Sequence, residues 1–174
     1  MRKNLGVQPA LFPMPVVIVA AYAADGSICA MNAAWAQICD MDIMETKAFT
    51  VSIADVPNIA PADFFGIATG NKMPDKFERS GCHAVKSEFV NAPIITEFPV
   101  AIECEFAEEI NTPNMHAIVG KIVNVSADEQ VIGDKDKILP EKVNALIFDQ
   151  YRSGYFAVGD KVGQAWNAGK DLMK

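Results

Sequence analysis

Two short stretches carry side chains whose types and spacing have a chemical use. Asn32-Ala33-Ala34-Trp35 joins an amide that both donates and accepts, two residues small enough for close backbone approach, and a broad aromatic surface. A flat, partly polar ring is held by such a set: backbone donors at its N and O edges, little bulk, and an aromatic wall. The same four residues also suit the end of a strand with Trp35 in the core, where aromatic side chains are common. Thr69-Gly70-Asn71-Lys72 offers a hydroxyl, a flexible glycine and a cation in a short span, and Lys76 adds a second cation from the helix expected to follow. These are the groups a phosphate dianion needs, although the block alone also fits a solvated surface loop.

Other constellations carry less. Cys82-His83 lacks a second cluster at ligand spacing, and a closed zinc site takes about four ligands, so no metal is expected. His116 falls in a strand pattern and reads as structural. Glu103 and Glu105 imitate a catalytic carboxylate pair but read as one solvated strand face. No side chain is assigned a catalytic role. The four cysteines, Cys29, Cys39, Cys82 and Cys104, form no C-x-x-C pair and read as reduced thiols of a cytoplasmic protein. Met1-Arg2-Lys3 ahead of the apolar residues 15–24 imitates a secretory leader. Pro9, Pro13 and Pro15 break the helix a leader forms, and the run is far shorter than the ~20 residues that span a bilayer.

The elements that must position these residues follow from hydrophobic period and turn chemistry. Residues 16–22 are rich in β-branched side chains and bounded by prolines and Asp25-Gly26, the pattern of a buried strand followed by a hairpin turn, with 27–32 as partner. Residues 49–53 predict a third strand with Phe49, Val51 and Ile53 on a core face and Thr50 and Ser52 on a polar one. Pro61 suits the first turn of a short helix, and 76–81 reads as a helical turn closed by Gly81. From Phe98 the two-residue period returns, with Val100, Ile102, Cys104 and Phe106 facing one way and Ala101, Glu103 and Glu105 the other. A turn at 111–114, a long partner strand over 115–126, a polar turn at 134–137 and a helix over 140–146 complete the reading. Strands joined by short polar turns argue for an antiparallel barrel or sandwich. Neither G-x-G-x-x-G after a strand nor G-x-x-x-x-G-K-[ST] occurs, so a Rossmann or P-loop nucleotide site has no support.

Composition sets the outer bounds. With 174 residues, 51% of them apolar and 21% charged, the chain is expected to fold as a single domain over 1–174. Fifteen basic against 22 acidic residues give a net charge of −7, which leaves phosphate-backbone attraction little to work with and disfavours a nucleic-acid partner. No membrane partner is expected either.

Several blocks together resemble the flavin reductase-like, flavoredoxin-type FMN-binding proteins. They are Cys29-Ala30-Met31-Asn32-Ala33-Ala34-Trp35, Thr69-Gly70-Asn71-Lys72-Met73-Pro74-Asp75-Lys76-Phe77, and Val85-Lys86-Ser87-Glu88 with Ala92-Pro93-Ile94-Ile95. The resemblance continues through Phe98-Pro99-Val100-Ala101-Ile102-Glu103-Cys104, Gly120-Lys121-Ile122-Val123-Asn124-Val125 and Gly159-Asp160-Lys161-Val162-Gly163. It implies a mainly β fold, an antiparallel Greek-key FMN-binding split barrel with a few short helices, forming a homodimer with FMN near the subunit interface.

By that resemblance Asn32, Ala33, Ala34 and Trp35 would contact the ring, and Thr69, Gly70, Lys72 and Lys76 the phosphate. The activity implied is an FMN-dependent oxidoreductase taking hydride from NADH or NADPH and passing electrons to free flavin or a redox protein. An FMN-binding electron carrier without pyridine-nucleotide activity is the alternative. One departure stands out: Asp40-Met41-Asp42 runs almost directly into Ile43-Met44-Glu45, where relatives carry a strand and a phosphate-contacting loop. Loss of a barrel strand would expose an edge, which favours an omitted segment over a natural deletion. A true deletion would make the chain a flavin-free interaction module.

Overall fold

The β-branched run near the N-terminus begins with β1 (Met14–Pro15) and, after the fully buried Val16, continues as β2 (Val17–Tyr22). The computed structural model describes residues 14–33, 47–113, 115–164, 167–168 and 170–173. Ala34, Trp35 and the junction of Asp42 with Ile43 lie outside the described residues.

Asp25-Gly26 turns β2 into β3 (Ile28–Ala33), with Gly26 at φ +83° and the Asp25 carboxylate accepting from the Ser27 N–H at 2.9 Å. β4 (Ala48–Ile53) pairs with the other edge of β2. The long hairpin β7 (Val100–Thr112) and β8 (Met115–Ala127) completes an antiparallel five-stranded sheet in the order β3-β2-β4-β7-β8. β5 (Ala84–Lys86) and β6 (Pro93–Ile95) form a separate two-stranded hairpin.

β5 and β6 went unread in the sequence, as did two further short strands: β9 (Leu146–Asp149) and β10 (Gly154–Ala157) join β1 in a second sheet, order β1-β9-β10. Val16 links the two sheets, its N–H bonded to the Leu146 carbonyl and its own carbonyl accepting from Ala54. The expected helix over 140–146 is shorter: α3 (Pro140–Val143) stops where Asn144 adopts φ 51°. An asparagine tolerates that left-handed geometry, and Leu146 is freed for a strand.

The sheet buries both faces. On one side Ile18, Ala20 and Ala30 pack under α1 (Ile59–Ile67) with Ala62 and Phe65, and against Leu146. On the other Val17, Val19, Phe49, Cys104 and Ile118 form a second cluster. Two expectations are corrected here. Thr50 and Ser52 do not face solvent; both are fully buried. Glu103 is only 1% exposed, whereas Glu105 is exposed.

The cause is non-local. The loop between β5 and β6 lies over this face, its Val90 and Ala92 packed on Ala48, and the Pro93 carbonyl accepts from Thr50 Oγ1 at 2.7 Å. Glu103 is kept as a buried polar group by donors from Ser87 Oγ, Asn124 Nδ2 at 2.6 Å and Ser126 Oγ at 3.2 Å. Ser87 Oγ in turn accepts from the N–H groups of Phe89 and Val90, both at 2.9 Å, which closes the loop. The register between β7 and β8 shifts twice, at Glu103/Cys104, where Val123 of β8 is left without a partner, and at Phe106/Glu108, where Ala107 of β7 is. Among the described residues, no helix is long and apolar enough to cross a membrane.

Candidate functional site

Among the described residues of the predicted site, Asn32 and Lys76 bond to α1 and Thr69–Lys72 follow it. Asn32, on β3, donates from Nδ2 to the Ala62 carbonyl at 2.9 Å. Gly66, one turn further along α1, approaches the same side chain so closely that a Cβ there would stand 3.3 Å from Asn32 Cβ. The helix is therefore pinned to the end of β3. Because the carbonyl of Ala62 can only accept, the end of the amide facing it is the nitrogen, which leaves Oδ1 as the acceptor for other partners. Ala33 continues the strand opposite Val17, and its neighbours Ala34 and Trp35 lie beyond the described residues.

Thr69-Gly70-Asn71-Lys72 follows directly on α1. All four residues are exposed, and Gly70–Lys72 forms a single 3-10 turn in which the N–H groups of Lys72 and Met73 bond back to the Thr69 carbonyl at 3.1 and 3.0 Å. In such a turn the leading N–H groups, those of Gly70 and Asn71, have no partner within the turn itself. A Cβ added at Gly70 would meet nothing within 4 Å, so the turn is open on that side. A hydroxyl, an amide, an ammonium group and two leading N–H groups thus stand together at the surface. That is the donor chemistry of an oxyanion cradle.

Lys76 behaves differently. It opens α2 (Lys76–Arg79) but is only 7% exposed, and its Nζ donates to the Phe65 carbonyl at 2.8 Å, over the Phe65 ring at 5.8 Å. Phe65 lies in the last turn of α1, where carbonyls lack intrahelical partners and the helix dipole favours a cation. Burial pushes the Lys76 ammonium below its usual pKa, partly offset by the nearby Cys29. The stacked rings of Phe65 and Phe77, 6.3 Å apart, complete the joint between α1 and α2. The structure thus sets Lys72 at the open turn and Lys76 inside the helix joint.

Sequence reasoning missed Asp63 and Tyr155. The Tyr155 hydroxyl, from β10, donates to Asp63 Oδ1 on α1 at 2.8 Å, beside Asn32. No motif marks this contact, since it joins residues 92 positions apart. The Cys82-His83 pair forms a local clasp with Glu97: the His83 N–H donates to its carboxylate at 2.9 and 3.0 Å, and His83 Nδ1 lies 2.8 Å from Oε1. Burial pushes the Glu97 carboxyl upward, but the bonds from His83 outweigh it and hold the group below its ordinary range. Burial raises the Cys82 thiol, which leaves it a poor nucleophile.

A family model described as the flavin reductase like domain matches residues 40–155, two thirds of the chain. This chain belongs to the flavin reductase-like family. The flavoredoxin of Desulfovibrio vulgaris (Miyazaki F) superposes on this flavin reductase-like chain with a TM-score of 0.89 and 33% identity, covering 97% of this chain and 100% of the other.

A flavoredoxin from Methanosarcina acetivorans follows at TM-score 0.85 and 23% identity, covering 99% and 100%. Nitrilotriacetate monooxygenase component B from Bacillus cereus shares the fold at TM-score 0.78 and 16% identity, covering 94% and 100%. These likenesses establish the split-barrel fold expected from the sequence. Among curated sequences, an uncharacterised protein of Aquifex aeolicus is 28% identical over 116 residues. The chain spans about half the length of that relative, 52%, and 36% of a second, from Aeropyrum pernix. The matched region of the flavin reductase-like domain contains Asp63, Thr69, Lys72 and Lys76 and ends at Tyr155.

Proposed function

We propose that the chain binds FMN and works as an oxidoreductase, taking hydride from NADH or NADPH and passing electrons to free flavin or to a redox protein. The observation that carries this reading is the joint between β3 and α1. There Asn32, at the end of β3, is bonded to the same helix that leads into the open Thr69–Lys72 turn. A ring with a phosphate tail needs both kinds of contact within one ligand's reach, and α1 ties the two together. The donor set fits the group: Lys72 and the Thr69 hydroxyl suit a dianion, and Asn32 Oδ1 suits an N–H at a ring edge.

When bound, FMN supplies the acceptance and release of electrons. The chain's own residues do the rest. Ala33 and Ala34 allow close backbone approach, Trp35 walls the ring, Lys72 and Thr69 hold the phosphate, and Lys76 keeps α1 in place by closing its last turn. A homodimer in the reduced cytoplasm belongs to the same proposal. The 33% identity with a flavoredoxin supports a close alternative, an electron carrier that exchanges electrons only with proteins.

One experiment separates these. The purified protein, loaded with FMN and mixed anaerobically with NADH or NADPH, is expected to lose its yellow colour. Colour that persists with both donors but bleaches with dithionite would leave the electron carrier. A protein that takes up no flavin would overturn the reading altogether.

A further inference from the structure

Asn32, Asp63 and Tyr155 come from three elements and meet in one polar group. Ala62 and Asp63 are consecutive on α1, so the helix holds the Asn32 amide with one residue, at 2.9 Å, and the Tyr155 phenol with the next, at 2.8 Å. The nearby Asn32 amide also acts on the phenol, working against the upward shift of its pKa. Tyr155 is held by the tilted Phe148 ring at 5.8 Å, and both aromatic rings pack on the core beneath α1. Asp63 is half-buried, and among the described residues no cation forms an ion pair with it.

Burial, and then the bond to Asp63, pushes the Tyr155 pKa up to about 12, so the phenol remains a donor throughout the physiological range. A neutral acceptor would satisfy that donor equally well. The carboxylate adds what a neutral group would not: a fixed negative charge, half out of water, one residue from the carbonyl that grips Asn32.

We propose that Asp63 and Tyr155 are positioning residues for the ring-contacting Asn32, and that the Asp63 charge, lying beside the bound ring, favours the oxidised flavin over the reduced one. This rests on the FMN reading above. Reduction adds electrons to the ring, and a nearby fixed anion opposes that addition, so the group both aligns and tunes.

The test is a potentiometric titration of the FMN-loaded wild type, Asp63→Asn and Tyr155→Phe, together with FMN and riboflavin binding to each. Asp63→Asn keeps an oxygen acceptor for the phenol and removes only the charge. Its midpoint potential is expected to become more positive, with the ratio of FMN to riboflavin affinity unchanged because the phosphate turn is untouched. Tyr155→Phe removes one hydrogen bond from the group and is expected to weaken both flavins by the same factor, about three- to tenfold.

An unchanged potential in Asp63→Asn would overturn the charge role. Wild-type riboflavin affinity in a folded Tyr155→Phe would overturn the positioning role, and if that variant failed to fold, Tyr155→Trp, which keeps a ring-borne donor, would be measured in its place. A wild type that binds no flavin would instead overturn the functional reading itself, and this inference with it.

Discussion

Lys72 and Lys76 sit four positions apart in one block, yet the fold uses them for opposite purposes. Lys72 is exposed on an open turn, while Lys76 is buried against a carbonyl at the end of α1. Replacing Lys76 by alanine leaves the Phe65 carbonyl without its donor, which costs about 1–3 kcal/mol. Lys76→Ala is therefore expected to unfold at lower denaturant concentration while keeping the wild-type ratio of FMN to riboflavin affinity.

Glu103 makes the same point for acids. It is indistinguishable from Glu105 in the strand pattern, but it alone anchors the loop after β5 through Ser87, Asn124 and Ser126. Glu103→Ala would orphan the buried Ser87 hydroxyl and two half-buried donors, Asn124 and Ser126, and lower stability by about 2 kcal/mol, read from urea unfolding. Residue type and spacing identified which side chains could bind or pair. Burial depends on what folds over them, and that was not legible for Lys76 or Glu103.

At the scale of elements, local signals were read well. The β-branched run of β2, the Asp25-Gly26 turn, Gly81 at φ +73° closing α2 and the long β7–β8 hairpin all match their sequence patterns. What escaped was short or distant. β9 and β10 have four residues each, too few for a period to show, and the cover on the Thr50 face comes from a loop some 40 residues away, with 43 positions between Thr50 and Pro93.

Gly120 shows how tightly the second cluster is packed. A Cβ there would fall 2.3 Å from Phe49 Cζ, deep inside any allowed contact. The buried ring cannot easily turn away, so Gly120→Ala is expected to cost about 1–3 kcal/mol by overpacking, measured by chemical denaturation. β10 adds a pH signature. The folded-state pKa of Tyr155 is raised, so its contribution to stability is complete below the unfolded value near pH 10. That contribution is lost as pH rises through about 12. Denaturation curves of wild type and Tyr155→Phe should therefore converge across that interval. A stability gap that stays constant there would contradict the assignment.

At the scale of the molecule, two sheets joined through Val16 each hold α1: β3 through Asn32 and β10 through Tyr155. That helix carries the turn at Thr69–Lys72 as its extension. A homodimer is expected for the purified protein, with light scattering giving about twice the chain mass of 18.8 kDa; a monomer at all concentrations would contradict it.

The central claim is that this scaffold holds FMN by ring and phosphate together, and the most direct measurement is calorimetric titration of wild type and Lys72→Ala with FMN and with riboflavin. Loss of a charge-assisted contact of ~1.5–3 kcal/mol predicts that Lys72→Ala weakens FMN roughly ten- to a hundredfold and leaves riboflavin, which has no phosphate, nearly unchanged. Equal weakening of both ligands, or unchanged FMN affinity in the variant, would contradict the account.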